Sequence, residues 1–198
     1  MTTFLLVRHG AHDWLDRGLA GRLPGVSLNA RGWLQAEQLV RRLEGRDIAA
    51  IYSSPQPRAR ETAAPLAGRR RLPIRILEAF DEIEFGQWTG LGFDVLQRRD
   101  ADRWRQWCER RSQAQPPGGE TLPQVRRRAV QGLEQLRERY PAGAVLIASH
   151  GDVIKAVLAT ALRMSLDDLE RFELAPASIS ILEAGEGWQQ VRLVNGTD

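Results

Sequence analysis

Thr3-Phe4-Leu5-Leu6-Val7-Arg8-His9-Gly10 is the stretch from which the rest of the chain can be read. Phe4 to Val7 are apolar without alternation. Such a run is too short to span a membrane and suits a strand buried on both faces, as in a parallel sheet covered by helices. It stops at a cation, an imidazole and a glycine. In an open α/β sheet, ligands bind in the crevice beyond the carboxyl ends of the strands, which sets Arg8 and His9 on its rim. Gly10 gives the backbone room to turn or to approach a ligand. A strand-end histidine is commonly a hydrogen-bonded structural group, so the tripeptide gains weight only from a second copy. Ala144-Val145-Leu146-Ile147-Ala148 is another fully apolar run, and it breaks off into Ser149-His150-Gly151.

With 198 residues, 42% of them hydrophobic, the chain can bury one sizeable core, and a single domain over residues 1–198 is expected. Cys108 is the one cysteine and cannot form an internal disulfide. The start of the chain has no basic region followed by a long apolar stretch, so a cytoplasmic location and no membrane partner are expected. The formal charge is +3, and Lys155 is the one lysine among the basic residues. That imbalance reads as coding bias. Arg69-Arg70-Arg71 and Arg126-Arg127-Arg128 read as solvated surface, and without clustering on one face they imply no nucleic-acid partner.

Between the two His-Gly sites, strands alternate with helices. Ala11 to Asn29 is a polar, glycine-rich loop over the crevice. A helix capped by Asn29 follows, with Trp33, Ala36, Val40 and Leu43 as its buried stripe. Asp47 to Tyr52 is a strand closed by Ser53-Ser54-Pro55, and Pro57 to Leu66 a short helix carrying Arg58 in its first turn. Ile74 to Leu77 is a third strand. Phe93 to Arg111 is helical, with Leu96, Trp104, Trp107 and Cys108 on one side, and the thiol is expected to be packed. The two tryptophans suit core packing or the mouth of a site. Leu122 to Tyr140 is a long helix, Gly151 to Arg163 another, and the tail is a hairpin that can extend the sheet antiparallel. The fold class is α/β with a mostly parallel sheet, plus a helical excursion.

Sequential βα units put strand ends on one rim, so Arg8, His9, Arg58, Glu82 and His150 can converge. Two arginines and two histidines facing one point make a pocket for a dianion, because the guanidinium fork pairs with phosphate oxygens and the helix N-terminus at Gly151 adds backbone donors. No P-loop, dinucleotide fingerprint or metal-ligand histidine spacing is present in the sequence.

Taken in order, Arg8-His9-Gly10, Ser53-Ser54-Pro55-Gln56-Pro57-Arg58-Ala59-Arg60-Glu61-Thr62-Ala63, Glu82-Ile83-Glu84-Phe85-Gly86-Gln87-Trp88, Pro117-Gly118-Gly119-Glu120-Thr121 and Ser149-His150-Gly151 resemble the histidine phosphatase superfamily, most closely its phosphoglycerate-mutase-like branch. The resemblance implies a three-layer sandwich with helices on both faces of the sheet. It implies His9 as phosphoryl-accepting nucleophile, Arg8, Arg58 and His150 as phosphate ligands, and Glu82 as proton donor. Glu84 and Asp81 are rivals for that last role, and the Glu-x-x-Phe-Gly spacing selects Glu82. A small phosphorylated substrate is implied, with no metal and no organic cofactor. Where relatives carry an acid, a small hydroxyl residue and a phosphate-contacting asparagine after Arg-His-Gly, this chain has Ala11, His12 and Leu15. His12 either reaches into the pocket in compensation or is an exposed loop histidine. Arg22 either meets a second acidic group of the substrate or is a solvated loop charge.

Overall fold

The computed structural model describes residues 1–197. In chain order its elements are β1 (Thr2–Arg8), β2 (Gly18–Leu19), α1 (Ala30–Arg42), β3 (Ile48–Ser53), α2 (Pro57–Arg70), β4 (Ile74–Ile76), β5 (Leu91–Gly92), α3 (Phe93–Arg99) and α4 (Ala101–Glu109). They are followed by α5 (Leu122–Arg139), β6 (Gly143–Ser149), α6 (Gly151–Ala161), β7 (Ile179–Gly185) and β8 (Trp188–Gly196). Six strands form the central sheet in the order β4-β3-β6-β1-β7-β8. The first four run parallel, and β7 and β8 extend the sheet antiparallel.

The apolar runs of β1 and β6 occupy the middle because both of their faces are covered. Phe4, Leu6, Val145 and Ile147 point into one core with Val125 and Ala129 of α5 and Val153 and Val157 of α6. Leu5, Val7, Leu146 and Ala148 point the other way, onto Leu39 of α1 and Ala59, Ala63 and Leu66 of α2. Burying each large apolar side chain contributes about 1.5–3 kcal/mol. Strands buried on both faces therefore take the centre, and β8, exposed over much of its length, lies at the edge.

Several local expectations shift. The buried stripe of α1 is Gly32, Ala36 and Leu39, continued by Leu43, while Trp33 is 42% exposed. The phase is set by close packing of the helix on the loop after β1. A Cβ on Gly32 would lie 2.1 Å from the Ala11 carbonyl oxygen, and one on Gly10 would lie 2.9 Å from the Gly32 carbonyl oxygen. α2 runs on past Leu66 to Arg70. The excursion is two helices, broken at Asp100, whose carboxylate accepts from Trp88 Nε1 at 3.0 Å. In α4 Trp107 takes the buried position and Cys108, about 100° further round the helix, is exposed rather than packed.

The register brings the site together. Arg8 lies beside Ser149, and Ser53 beside Ala148. His9 N donates to Ser149 O and Ser54 N to Ala148 O, each at 2.9 Å, so β1, β6 and β3 end at one level. Gly32→Ala should test the packing that holds this rim. The added methyl must displace backbone, and a loss of about 1–3 kcal/mol is expected despite alanine's better helix propensity. Denaturant unfolding checks it, and an unchanged or raised midpoint would mean that the loop is free to move aside.

Candidate active site

His9 is 3% exposed, and its Nδ1 lies 2.9 Å from the Gly10 carbonyl oxygen. A carbonyl only accepts, so Nδ1 carries the proton and Nε2 holds the lone pair. Burial drives the His9 pKa well below 6.5, and His150, Arg58 and Arg8 push it the same way. The imidazole is therefore neutral. The loop that carries it is tied down by Gly10 N donating to Thr62 Oγ1 at 2.8 Å.

Arg58, on the first turn of α2, is fully buried. Its Nη2 donates to Gly21 O at 2.8 Å and lies 3.3 Å from His150 Nδ1 and 3.6 Å from Glu82 Oε2. Arg8, at the end of β1, donates through Nη1 to Leu174 O. Three buried guanidinium nitrogens, Arg8 Nε and Arg58 Nε and Nη1, have no hydrogen-bond partner among the described residues. Buried donors in folded proteins are normally satisfied, and this trio fits the oxygens of a bound dianion.

Glu82 follows a single turn of 3-10 helix and sets Oε2 3.3 Å from His150 Nδ1. Burial raises its pKa, but His150 and Arg58 outweigh burial and hold it down to about 2. In the free protein Glu82 is thus a carboxylate, and burial alone does not keep it neutral. His150 caps α6, and burial lowers its pKa against the pull of Glu82. Asp81 points away from the pocket to Ser54, Gln56 and Arg22, which removes it as a rival acid.

With His150 fully buried behind Glu82 and Arg58 and not part of the wall, Arg8, His9, Arg58 and Glu82 line a cavity of about 370 Å³. Arg8, His9, His12, Arg58 and Glu82 form its polar part, with Trp14, Leu15, Phe93 and Trp104 as apolar walls and Gly151 at its edge. His12 is 5% exposed, with its ring centroid 4.8 Å from that of His9. Its Nδ1 accepts from Trp14 N at 3.2 Å, which leaves the proton of the neutral ring on Nε2. Burial, with Arg58 and Arg8 adding to it, lowers its pKa from 6.5 to about 4. His12 is therefore a pocket residue and not an exposed loop histidine.

Arg22 is neither a wall of the cavity nor a solvated charge. Its Nε lies 3.1 Å from Asp81 Oδ2 and donates to Glu82 O at 2.8 Å, and its Nη2 donates to Glu120 Oε2 at 3.0 Å. Arg128, read from the sequence as solvated surface, joins that network through Glu120 and Glu82 O. Its position three residues after buried Val125 could have revealed this. The outer wall contains residues that the sequence did not single out for a site. Arg111 pairs with Asp152 and Glu170, each at 2.9 Å, and Lys155 lies 3.4 Å from Glu170. Trp107 packs against Phe85 and Trp88 and also lines the cavity, so both readings of it hold.

Ligand atoms of His9, Glu82 and His150 lie within 4.8 Å of one another, the spacing of a possible metal site. The Arg58 guanidinium, 3.3–3.6 Å from two of them, puts a fixed positive charge beside that point and makes it a poor cation site.

The model of the histidine phosphatase superfamily (branch 1) matches residues 4–197. The chain belongs to that superfamily. Among its relatives, the bifunctional protein Rv2228c of Mycobacterium tuberculosis is 38% identical over 99% of this chain. This chain covers 54% of that relative, so it spans about half the length of the first curated relatives it matches. Phosphoserine phosphatase 1 of Hydrogenobacter thermophilus is 29% identical over 94% of this chain and 88% of its own length. The solved structure of Bacillus stearothermophilus YhfR superposes with a TM-score of 0.95 at 30% identity, covering 100% of this chain and 98% of that one. The histidine phosphatase superfamily assignment and the α/β architecture thus agree, and relatives named as phosphatases support a phosphatase.

The low pKa of His12 has a consequence for stability. Between pH 6.5 and about 4 the unfolded chain takes up a proton that folded His12 refuses. Its contribution to stability is therefore fully present above pH 6.5 and is lost as pH falls toward 4. Histidine NMR should show His12 titrating near pH 4, and His12→Gln should flatten part of the acid-side decline in the denaturation midpoint. A His12 titration near 6.5 would contradict the buried placement.

Proposed function

We propose that this protein is a metal-independent phosphatase that hydrolyses phosphomonoesters of small metabolites through a phosphohistidine on His9. The observation that carries the reading is the set of three unpartnered, buried guanidinium nitrogens of Arg8 and Arg58 around a neutral imidazole. Two relatives, named phosphoserine phosphatase 1 and adenosylcobalamin/alpha-ribazole phosphatase, support a small phosphorylated substrate. The 370 Å³ cavity suits one of that size. No helix among the described residues is long and apolar enough to cross a membrane. We place the activity in the cytoplasm.

The substrate phosphoryl group accepts hydrogen bonds from Arg8 and Arg58, with His150, His12 and the backbone at Gly151 on its flanks. His9 Nε2 attacks phosphorus in line, the N–P bond forms, and the bond to the ester oxygen breaks. The leaving alkoxide needs a proton. Glu82 is ionised in the free site, but a phosphoryl dianion beside it takes over the attention of Arg58 and His150 and adds like charge, which raises the carboxyl's pKa. Glu82 takes up a proton from solvent as the dianion binds, and that proton then passes from Glu82 to the alkoxide. The resulting carboxylate accepts a proton from water, whose oxygen attacks the phosphohistidine and releases inorganic phosphate and His9.

A mutase reading fits less well, because a mutase must shield its phosphoenzyme from water. Leu15 offers an apolar wall where a second polar phosphate contact is expected, and Arg22 is already engaged. With 3-phosphoglycerate and 2,3-bisphosphoglycerate, phosphate release should outrun formation of 2-phosphoglycerate. The reverse order would make the protein a mutase.

His9→Ala should abolish turnover, and rapid quenching of the wild type should trap an acid-labile, base-stable phosphoryl group on His9. Glu82→Gln should slow alkyl phosphates more than p-nitrophenyl phosphate by an extra factor of roughly 10²–10⁴, since nitrophenolate leaves without help. Label on His150 would move the nucleophile, and equal losses on the two substrates would move the acid.

A further inference from the structure

Behind His150 lies a chain of buried groups that the mechanism has not used. His150 Nε2 is 2.7 Å from Ser54 Oγ. Ser54 Oγ is 3.0 Å from Asp81 Oδ1 and also accepts from Gln56 N at 3.2 Å. Asp81 is 3% exposed, and His150 and Ser54 are fully buried. Oδ1 of Asp81 additionally accepts from Gln56 Nε2 at 2.9 Å and from Glu82 N at 2.7 Å, while Arg22 Nε stands 3.1 Å from Oδ2.

The donor and acceptor inventory leaves one arrangement. A carboxylate only accepts, so the single hydroxyl proton of Ser54 goes to Asp81. The two lone pairs of Ser54 then face the Gln56 N–H and His150 Nε2. Nε2 must donate, because an acceptor there would meet a lone pair. The neutral ring therefore carries its proton on Nε2, and Nδ1 is the nitrogen turned toward Glu82 Oε2 and Arg58 Nη2, each 3.3 Å away.

We propose that Asp81, acting through Ser54, is the positioning residue that fixes the tautomer of His150, so that Nδ1 is the atom presented to the phosphoryl group. This rests on the phosphatase reading for its catalytic meaning, but not for the tautomer itself. In the free protein, Nδ1 accepts from Arg58. When a dianion draws Arg58 away, Nδ1 is free to take up a proton from solvent and to donate it in a hydrogen bond to a phosphoryl oxygen. The imidazolium so formed remains bonded at Nε2 to a hydroxyl that leads to a carboxylate. An opposite tautomer would gain a bond from Nδ1–H to Glu82 Oε2, a carboxylate that Arg58 Nη2 already faces at 3.6 Å. It would also oppose Nδ1–H to the Arg58 N–H and set two lone pairs against each other between Nε2 and Ser54 Oγ, 2.7 Å apart.

Asp81→Ala breaks the chain. Without the carboxylate the Ser54 hydroxyl loses its acceptor and can donate to His150 Nε2, which lets the ring proton move to Nδ1. Asn would not do this, because its oxygen would stay where Gln56 Nε2 and Glu82 N both donate. The test is long-range proton–nitrogen NMR on ¹⁵N-histidine-labelled protein without substrate. The chain has three histidines, and the His150 signal is found by its loss in His150→Gln. Wild type should show Nε2–H with a bare Nδ1, and Asp81→Ala should shift the population toward Nδ1–H. Ser54→Ala should show a mixture, and Ser54→Thr, which keeps the hydroxyl, should restore the wild-type pattern. Asp81→Ala and Ser54→Ala should lower kcat/KM on the order of 10- to 100-fold, the range for loss of an outer partner that orients an imidazole, and Ser54→Thr should recover most of it. Nδ1–H in the wild type, or a pattern unmoved by either Asp81→Ala or Ser54→Ala, overturns the proposal. If Asp81→Ala fails to fold, the wild-type spectrum and the Ser54 pair still decide it. A protein with no phosphatase activity but with the expected tautomers would sink the proposed function and leave this assignment standing.

Discussion

A guanidinium cannot shed its proton, and Arg58 has no exposed surface, so the protein must compensate a permanent charge inside its fold. It does so unevenly. Gly21 O, His150 Nδ1 and Glu82 all gather at Nη2, and Nε and Nη1 are left without hydrogen-bond partners among the described residues. In the proposed function, a bound anion would complete the compensation. Arg58 also adds to the burial that holds His9 and His12 neutral, and it helps keep Glu82 ionised. One buried cation thus bears on the charge state of His9, His12 and Glu82 together, the proposed nucleophile and acid among them.

The state of Glu82 in the free protein is the opposite of what proton donation requires. Its carboxylate is stabilised by contacts that a phosphoryl group would itself claim. The free site is in this sense filled by its own acid, and arrival of a dianion exchanges one set of ion pairs for another without exposing a bare charge. In the proposed mechanism such an exchange couples binding to protonation, because the carboxyl becomes basic enough to hold a proton only once Arg58 and His150 turn to the substrate.

What the sequence made legible was what periodicity and strand geometry control. Uninterrupted apolar runs marked β1 and β6, and parallel βα units implied that Arg8, His9, Arg58, Glu82 and His150 share one rim. The loop from Ala11 to Asn29 has no period, so nothing local distinguished His12, which turns inward, from Arg22, which turns toward Asp81 and Glu120. In α1 both Trp33 and Leu39 fit a helical stripe, and the choice fell to a tertiary contact between Gly32 and Ala11. Trp107 is buried as its stripe implied, whereas Cys108, the next residue round the same helix, faces out. Arg128 was hidden within a run of three arginines whose neighbours do face water.

The Pro117-Gly118-Gly119-Glu120 segment shows why distant residues belong to one site. A Cβ on Gly119 would lie 2.4 Å from Glu84 O, and one on Gly86, at φ +53, would lie 2.2 Å from Pro117 O, so the two stretches meet backbone to backbone. Glu120 N donates to Glu84 O at 2.7 Å, and Glu120 Oε2 accepts from Glu84 N at 3.0 Å. The same carboxylate takes Arg22 and Arg128, both of which also donate to Glu82 O. The main chain of Glu82 is thus clamped from behind, with Asp81 holding its amide, while its carboxylate remains free to change partners. For the role proposed for Glu82, a proton donor that trades ion pairs during the reaction needs its backbone fixed by contacts that do not take part in the trade. The glycines of residues 118 and 119, read first as a break between helices, permit the approach on which that clamp depends.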